Sequence, residues 1–175
     1  SLVLSRRAAF ADAVTMATLA MDTYRAQGAR RMLAVGHIYL ARICLAASAP
    51  RDAERHARAA IELTAEVAPF RAYALGALAA VMLAQARTDE AAFTAEYAMN
   101  ELAAIGAEEG EAFIRLVAAE VLLAAGQTGE AAEVLADARM RLLRRADAIH
   151  DPAFRETFLA KVPEHARTLE LSGPR

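Results

Sequence analysis

The chain has little of most residues that announce a chemistry. Among its 175 residues there is one cysteine and no tryptophan, and aromatics make up only 6%. A lone thiol forms no internal disulfide, so nothing implies an oxidising compartment and a cytoplasmic setting is expected. Cys44 stands in the apolar run RICLAA, which reads as a small buried core residue rather than a reactive thiol. Long hydrophobic runs are also missing. The longest stretch without charge, residues 72–86, is built largely of alanine and falls short of the ~20 residues that span a bilayer. The opening SLVLSRRAAF puts its arginines after the apolar tetrad, the reverse of a signal peptide. Lacking an initiator Met, the chain is expected to be a piece of a longer protein. A net charge of −2 with a pI near 6.1 leaves no basic footprint for nucleic acid.

Catalytic and cofactor signatures are equally scarce. There is no HExxH, CxxC, GxGxxG, GxxxxGK[ST] or GxSxG, so no metal site, phosphate cradle or nucleophile elbow is expected. The chain reads as a non-enzyme without cofactor. His37, His56, His150 and His165 have no recurring ligand spacing. His37 reads as a structural imidazole and His150 as a helix-end or surface group. Glu108, Glu109 and Glu111 read as a solvated, dipole-matched first turn. Arg139, Arg141, Arg144 and Arg145, diluted by Asp137 and Asp147, read as a solvated outer face rather than a patch for an acidic partner.

What is present is a repeat. AAFADAVTMATLA (8–20), SAPRDAERHARAA (48–60), ARTDEAAFTAEYA (86–98) and GQTGEAAEVLADA (126–138) align without gaps. The fifth letter is acidic each time (Asp12, Asp52, Glu90, Glu130), followed by Ala13, Ala53, Ala91 and Ala131. The thirteenth is again alanine, at 20, 60, 98 and 138. Successive units lie 40, 38 and 40 residues apart, a period that marks stacked repeats. Positions six, ten and thirteen form one helical stripe of small side chains, so a partner helix can approach closely. The acid sits in the first turn, at the positive end of the helix dipole. The pattern predicts helices over 5–27, 29–47, 50–67, 69–86, 88–105, 109–125 and 128–149. Asp151-Pro152 opens a short one to 161, and Pro163 a last one to 171. Thr88 and Thr128 are expected N-caps, Ser48 with Pro50 a cap and early-helix proline, and Gly28 and Gly126 helix stops.

The stretches LARICLAASAPRDAERHARAAIEL, LAAVMLAQARTDEAAFTAEYAMNEL and AAEVLLAAGQTGEAAEVLADARMRL resemble tetratricopeptide repeats. They share a small residue in the first helix (Ala41, Ala79, Ala119) and a turn at Ser48, Ala86 and Gly126. The family's aromatic at the first helix is His37, Leu75 or Arg115 here, and the period exceeds the family's 34. The longer variant repeats of large bacterial signalling ATPases and transcriptional regulators are similar. DPAFRETFLAKVPEHARTLEL resembles the closing segment of such proteins, implying a nearby natural C-terminus. The resemblance implies one all-α domain over 1–175, an α-solenoid of about three and a half antiparallel hairpins. Its parts are a truncated first repeat (1–28), repeats over 29–68, 69–108 and 109–150, and a cap over 151–175.

The resemblance also implies a concave surface lined by each hairpin's first helix. Carried over residue by residue, it comprises Val35, Ile38, Arg42 and Leu45, then Tyr73, Gly76, Ala80 and Leu83, then Phe113, Leu116, Glu120 and Leu123. Ile38, Ala77, Phe113 and Val117 stand where the family's chaperone-tail binders carry a carboxylate clamp, which sets that subclass aside. The apolar stripe is either covered by the C-terminal helices or a second chain, or open to a partner. The function expected is a protein–protein interaction scaffold: the regulatory repeat segment of a bacterial signalling or transcription-regulating protein, binding a protein or peptide, another domain or a second copy. The alternative is a small-molecule effector sensor with an apolar pocket between hairpins.

Overall fold

In the computed structural model the described residues are 10–65, 68–106 and 109–173, and among them the chain is all-helical with no strand. The helices are α1 (Phe10–Ala26), α2 (Arg30–Ala46), α3 (Pro50–Leu63), α4 (Ala68–Ala84), α5 (Thr88–Ile105), α6 (Glu111–Ala124), α7 (Thr128–Asp147), α8 (Pro152–Lys161) and α9 (Pro163–Leu171). The expected start of the first helix, near residue 5, lies outside the described residues. The 50–67 helix stops early, at Leu63. There the Thr64 hydroxyl bonds back to the Ala60 carbonyl at 2.8 Å and its amide closes the turn.

The packing order is regular. Each helix packs on the next in sequence through α7, and in addition α2 packs on α4, α4 on α6 and α6 on α9. Among the described residues α1, α3, α5 and α7 make no contact with one another. One row (α2, α4, α6, α9) is therefore continuous, while the second row is joined only through it. The alanine stripes explain the closeness. Ala53, Ala57 and Ala60 are wholly buried, as are Ala91 and Ala98, while Ala95 is 4% and Ala138 6% exposed. Ala20 is the exception, half-buried on α1. On the preceding helices Ala41, Ala79 and Ala119 are also wholly buried. Small side chains on both sides let axes approach and leave little void.

Four turns share one geometry. Gly28, Ser48, Ala86 and Gly126 all adopt left-handed φ, between 57° and 78°. In each turn the next amide bonds to the carbonyl five residues back: Ala29 to Tyr24, Ala49 to Cys44, Arg87 to Met82 and Gln127 to Leu122. This is the Schellman closure of a helix end. It corrects the expected caps, since Ser48 closes α2 instead of opening α3. Thr88 and Thr128 are first helical residues, preceded by Arg87 and Gln127, and no side chain caps either helix. Asp151 does cap α8, accepting from the amides of Ala153 and Phe154 at 2.8 and 3.1 Å.

Among the described residues no helix is long and apolar enough to cross a membrane. Cys44 is buried, and that burial pushes its thiol pKa up.

Candidate docking face

The proposed concave row divides into core and rim. Val35, Ile38, Tyr73 and Leu116 are buried, none more than 7% exposed. Ala80, Leu83 and Phe113 pack half-buried against the main core cluster, and Leu45 packs against Cys44, Ala53 and Val81. Gly76 faces α6. A Cβ built there would lie 3.0 Å from Ile114 Cγ1, so a larger residue at 76 would require Ile114 to give way by a few tenths of an ångström. Ala77 and Val117 are buried as well.

Arg42 is the centre of this row. Its guanidinium lies 4.3 Å over the Phe113 ring and donates to the Tyr73 hydroxyl. A second N–H reaches Glu164 of α9 at 3.1 Å, the two side chains being only 14% and 16% exposed. Burial lifts the Tyr73 pKa to about 12. Behind that ring sits Gly110, at φ 78°, where a Cβ would strike Tyr73 Cγ at 2.5 Å. Any other residue at 110 would meet backbone strain and would also require the Tyr73 ring to move. Glu120 likewise meets α9, accepting from Arg167 at 3.2 Å. The C-terminal helix thus covers part of the row, and Arg42 and Glu120 hold it there. Glu164, Arg167 and Gly110 were not singled out by the sequence. The two α9 residues lie beyond the last aligned repeat, where periodicity gives no signal.

Around the start of α6 the structure corrects the reading of Glu111 as solvated. It is 7% exposed and takes Arg115 at 3.1 Å, Arg141 at 3.3 Å and Arg145. Asp137 accepts from Arg115 at 2.7 Å and Arg141 at 2.9 Å. Two of the four α7 arginines are therefore internal ties between α6 and α7. Glu109 is exposed just ahead of the helix, and Glu108 lies outside the described residues. The other two arginines, Arg139 and Arg144, have no ion-pair or hydrogen-bond partner among the described residues.

The histidines also rearrange. His37 of α2 and His56 of α3, 19 residues apart, meet with their Nδ1 atoms 3.0 Å apart. One Nδ1–H must donate to the other's Nδ1, which requires the accepting ring to be neutral. Burial first, then His56 and Arg25, lowers the His37 pKa to about 4, and burial lowers that of His56. Spacing did not reveal this pair, because the contact arises from hairpin geometry. His165 is buried, donating from Nδ1 to the Phe158 carbonyl at 2.8 Å. His150 is exposed beyond the end of α7. Among the described residues no three His, Cys, Asp or Glu side chains gather to hold a metal.

A groove of about 790 Å³ opens between α7, the end of α6 and the end of α9. Ala132, Ala136, Met140 and Leu143 of α7 line it, with Leu123 and Leu171 as walls. Met140 is 49% exposed. Arg139 and Arg144 flank this floor, while Asp147, also in the lining, is engaged by Arg155. Leu123 is the proposed row's one member in this groove. Comparison of the chain with family models, with curated proteins and with solved structures yields no match.

Proposed function

We propose that this chain is a non-catalytic protein–protein interaction scaffold. We read it as a tetratricopeptide-like superhelical array of about three and a half hairpins, closed by its C-terminal segment. On this reading it is the regulatory repeat segment of a bacterial signalling or transcription-regulating protein. The repeated Schellman turns and the α2–α4–α6–α9 row support the array. One observation carries the binding function: the α7 groove, apolar along its floor and bounded by two arginines without partners. An exposed apolar face of this kind costs solubility unless it is used. Docking surface then runs from Leu123 onto α7, while most of the concave row serves as core.

The test is a photoreactive side chain at position 140, on the groove rim, irradiated in cells. A discrete protein adduct that disappears when Leu143→Asp is added supports the reading. Adducts indistinguishable from those of a label at exposed Arg51 would end it. The same groove has the volume of a small-molecule pocket, which is what favours the effector-sensing alternative. A rise in melting temperature with an amphiphilic small molecule, no protein partner present, would carry that alternative instead.

A further inference from the structure

We propose that the α7 groove receives helix α5 of a second copy of this chain, in a head-to-tail contact. The inference rests on the groove being a docking surface and names its occupant. The argument starts from the outer face of α5. Phe93 is 75% exposed there, the most exposed large apolar side chain of those described, and Tyr97 one turn on is 37% exposed, its hydroxyl accepting from Arg71 at 2.6 Å. Asp89 and Glu96 flank Phe93 at i−4 and i+3, exposed and without ion-pair partners among the described residues. The adjacent Glu90 is already engaged by Arg87 at 2.6 Å. The helix therefore presents an apolar knob beside two unused negative charges.

The groove presents the converse: an apolar floor at Met140 and Leu143 beside two unused positive charges, Arg139 and Arg144. Ala132 and Ala136 keep its floor low enough for a helix to lie in it. Lengths agree, since the lining from Ala132 to Asp147 runs about 22 Å at the helical rise, and Asp89 to Tyr97 about 12 Å. Like faces do not pair. Two α7 faces would bring arginine to arginine, and two α5 faces acid to acid. Only the unlike pair brings the two apolar surfaces together with flanking charges of opposite sign. Such a contact is heterologous: each pair keeps one free groove and one free knob, so association continues into a ring or an open chain. A single helix in a groove buries less than a standard interface of roughly 1,200–2,000 Å², so the contact is weak and reversible. Its charged flank makes it weaker in salt.

Sedimentation and light scattering of the whole chain over a micromolar concentration series test this. Wild type should grow in mean mass with concentration, and less so at high salt. Phe93→Asp alone and Leu143→Asp alone should each stay monomeric with helicity intact by circular dichroism. Mixed one to one, they should form a dimer that grows no further, because one copy keeps the groove and the other the knob. Arg139→Glu with Arg144→Glu, both on the groove's flanks, replaces Leu143→Asp should that variant lose helicity. A monomeric wild type, growth indifferent to Phe93→Asp, or a monomeric mixture would each overturn the proposal. A monomeric wild type that still gives a Leu143-dependent adduct from position 140 sinks self-association and leaves the scaffold reading standing.

Discussion

The central hairpin and the C-terminal segment hold themselves in place by different physics. Helix α4 is apolar on nearly every side: Ala72, Ala74 and Ala79 are wholly buried and Leu75, Leu78 and Met82 at most 6% exposed. It packs against α2 and α6 of its own row as well as against α3 and α5. Helix α8 has no buried residue, and α9 buries only His165 and Thr168. What ties those last helices down is charge: Arg155 to Asp147, Arg42 to Glu164 and Arg167 to Glu120. A helix with neighbours on both sides, such as α4, is held mainly by alanine and leucine. An end is buried on one side and needs directional bonds to fix its orientation.

The comparison breaks if the centre does not dominate global stability. Ile114, 1% exposed between α4 and α6, is the sharpest probe. Ile114→Ala should cost about 2–5 kcal/mol, the range for a buried large-to-small change, read from urea unfolding. A loss no larger than that of a surface substitution would mean that the α4–α6 contact is not part of the cooperative unit. The second effect is smaller and local. Glu164→Gln removes the charge that Arg42 pairs with, leaving the guanidinium with the Tyr73 hydroxyl and the Phe113 ring, at a cost of about 1–3 kcal/mol. Hydrogen exchange should speed up in α9 before any other helix, and more so in salt-free buffer, where wild type is protected best. Equal acceleration in α4 would show that the two regions unfold as one.

The centre was legible in the sequence because its physics is periodic. A fixed spacing of Asp or Glu, then Ala, reported helix phase, hairpin length and the buried stripe, and the observed boundaries differ from it by a few residues. Ser48 shows where local reasoning fails. A serine before a proline reads as an N-cap, yet the turn needs a left-handed residue there, and closure of the previous helix takes precedence. Glu111 shows the tertiary limit. Its neighbours in sequence, Glu108 and Glu109, suggest a solvated acidic turn, while the three arginines that bury it arrive from α6 itself and from α7, about 30 residues on. The α9 contacts on Arg42 were beyond reach for the same reason: no spacing encodes a contact made outside the period.

Within the turns the comparison sharpens by one atom. Ala86 sits at φ 58° where Gly126 sits at 78° in the matching turn. A Cβ in this region costs roughly 1 kcal/mol. Ala86→Gly should therefore stabilise the chain by up to about 1 kcal/mol, and Gly126→Ala, which meets nothing within 4 Å, should destabilise it by a similar amount. Thermal midpoints moving the same way for both would show that the two turns are not equivalent.

The smallest effect tests whether the apolar half is as indifferent to charge as its composition suggests. The His37–His56 pair is a polar contact of the N-terminal hairpin, between α2 and α3. With its folded pKa lowered to about 4 from 6.5, His37 binds its proton less readily in the folded chain than in the unfolded one. Stability is therefore unaffected by this group above pH 6.5 and falls as pH drops from 6.5 towards 4, below which no more is lost. Glu54 titrates in a separate window. Hydrogen bonds from Arg58 and Gln85 lower its pKa to about 2 from 4.5, so its contribution is lost only below pH 4.5. The half-exposed rings make the histidine effect modest, a few degrees in melting temperature. His37→Asn should make the curve shallower between pH 6.5 and 4.5, where His56 still contributes, and leave the steeper fall below it. A wild-type curve already flat in that interval would mean that protonation does not part the two rings, and that the hairpin is held by its alanine stripe alone.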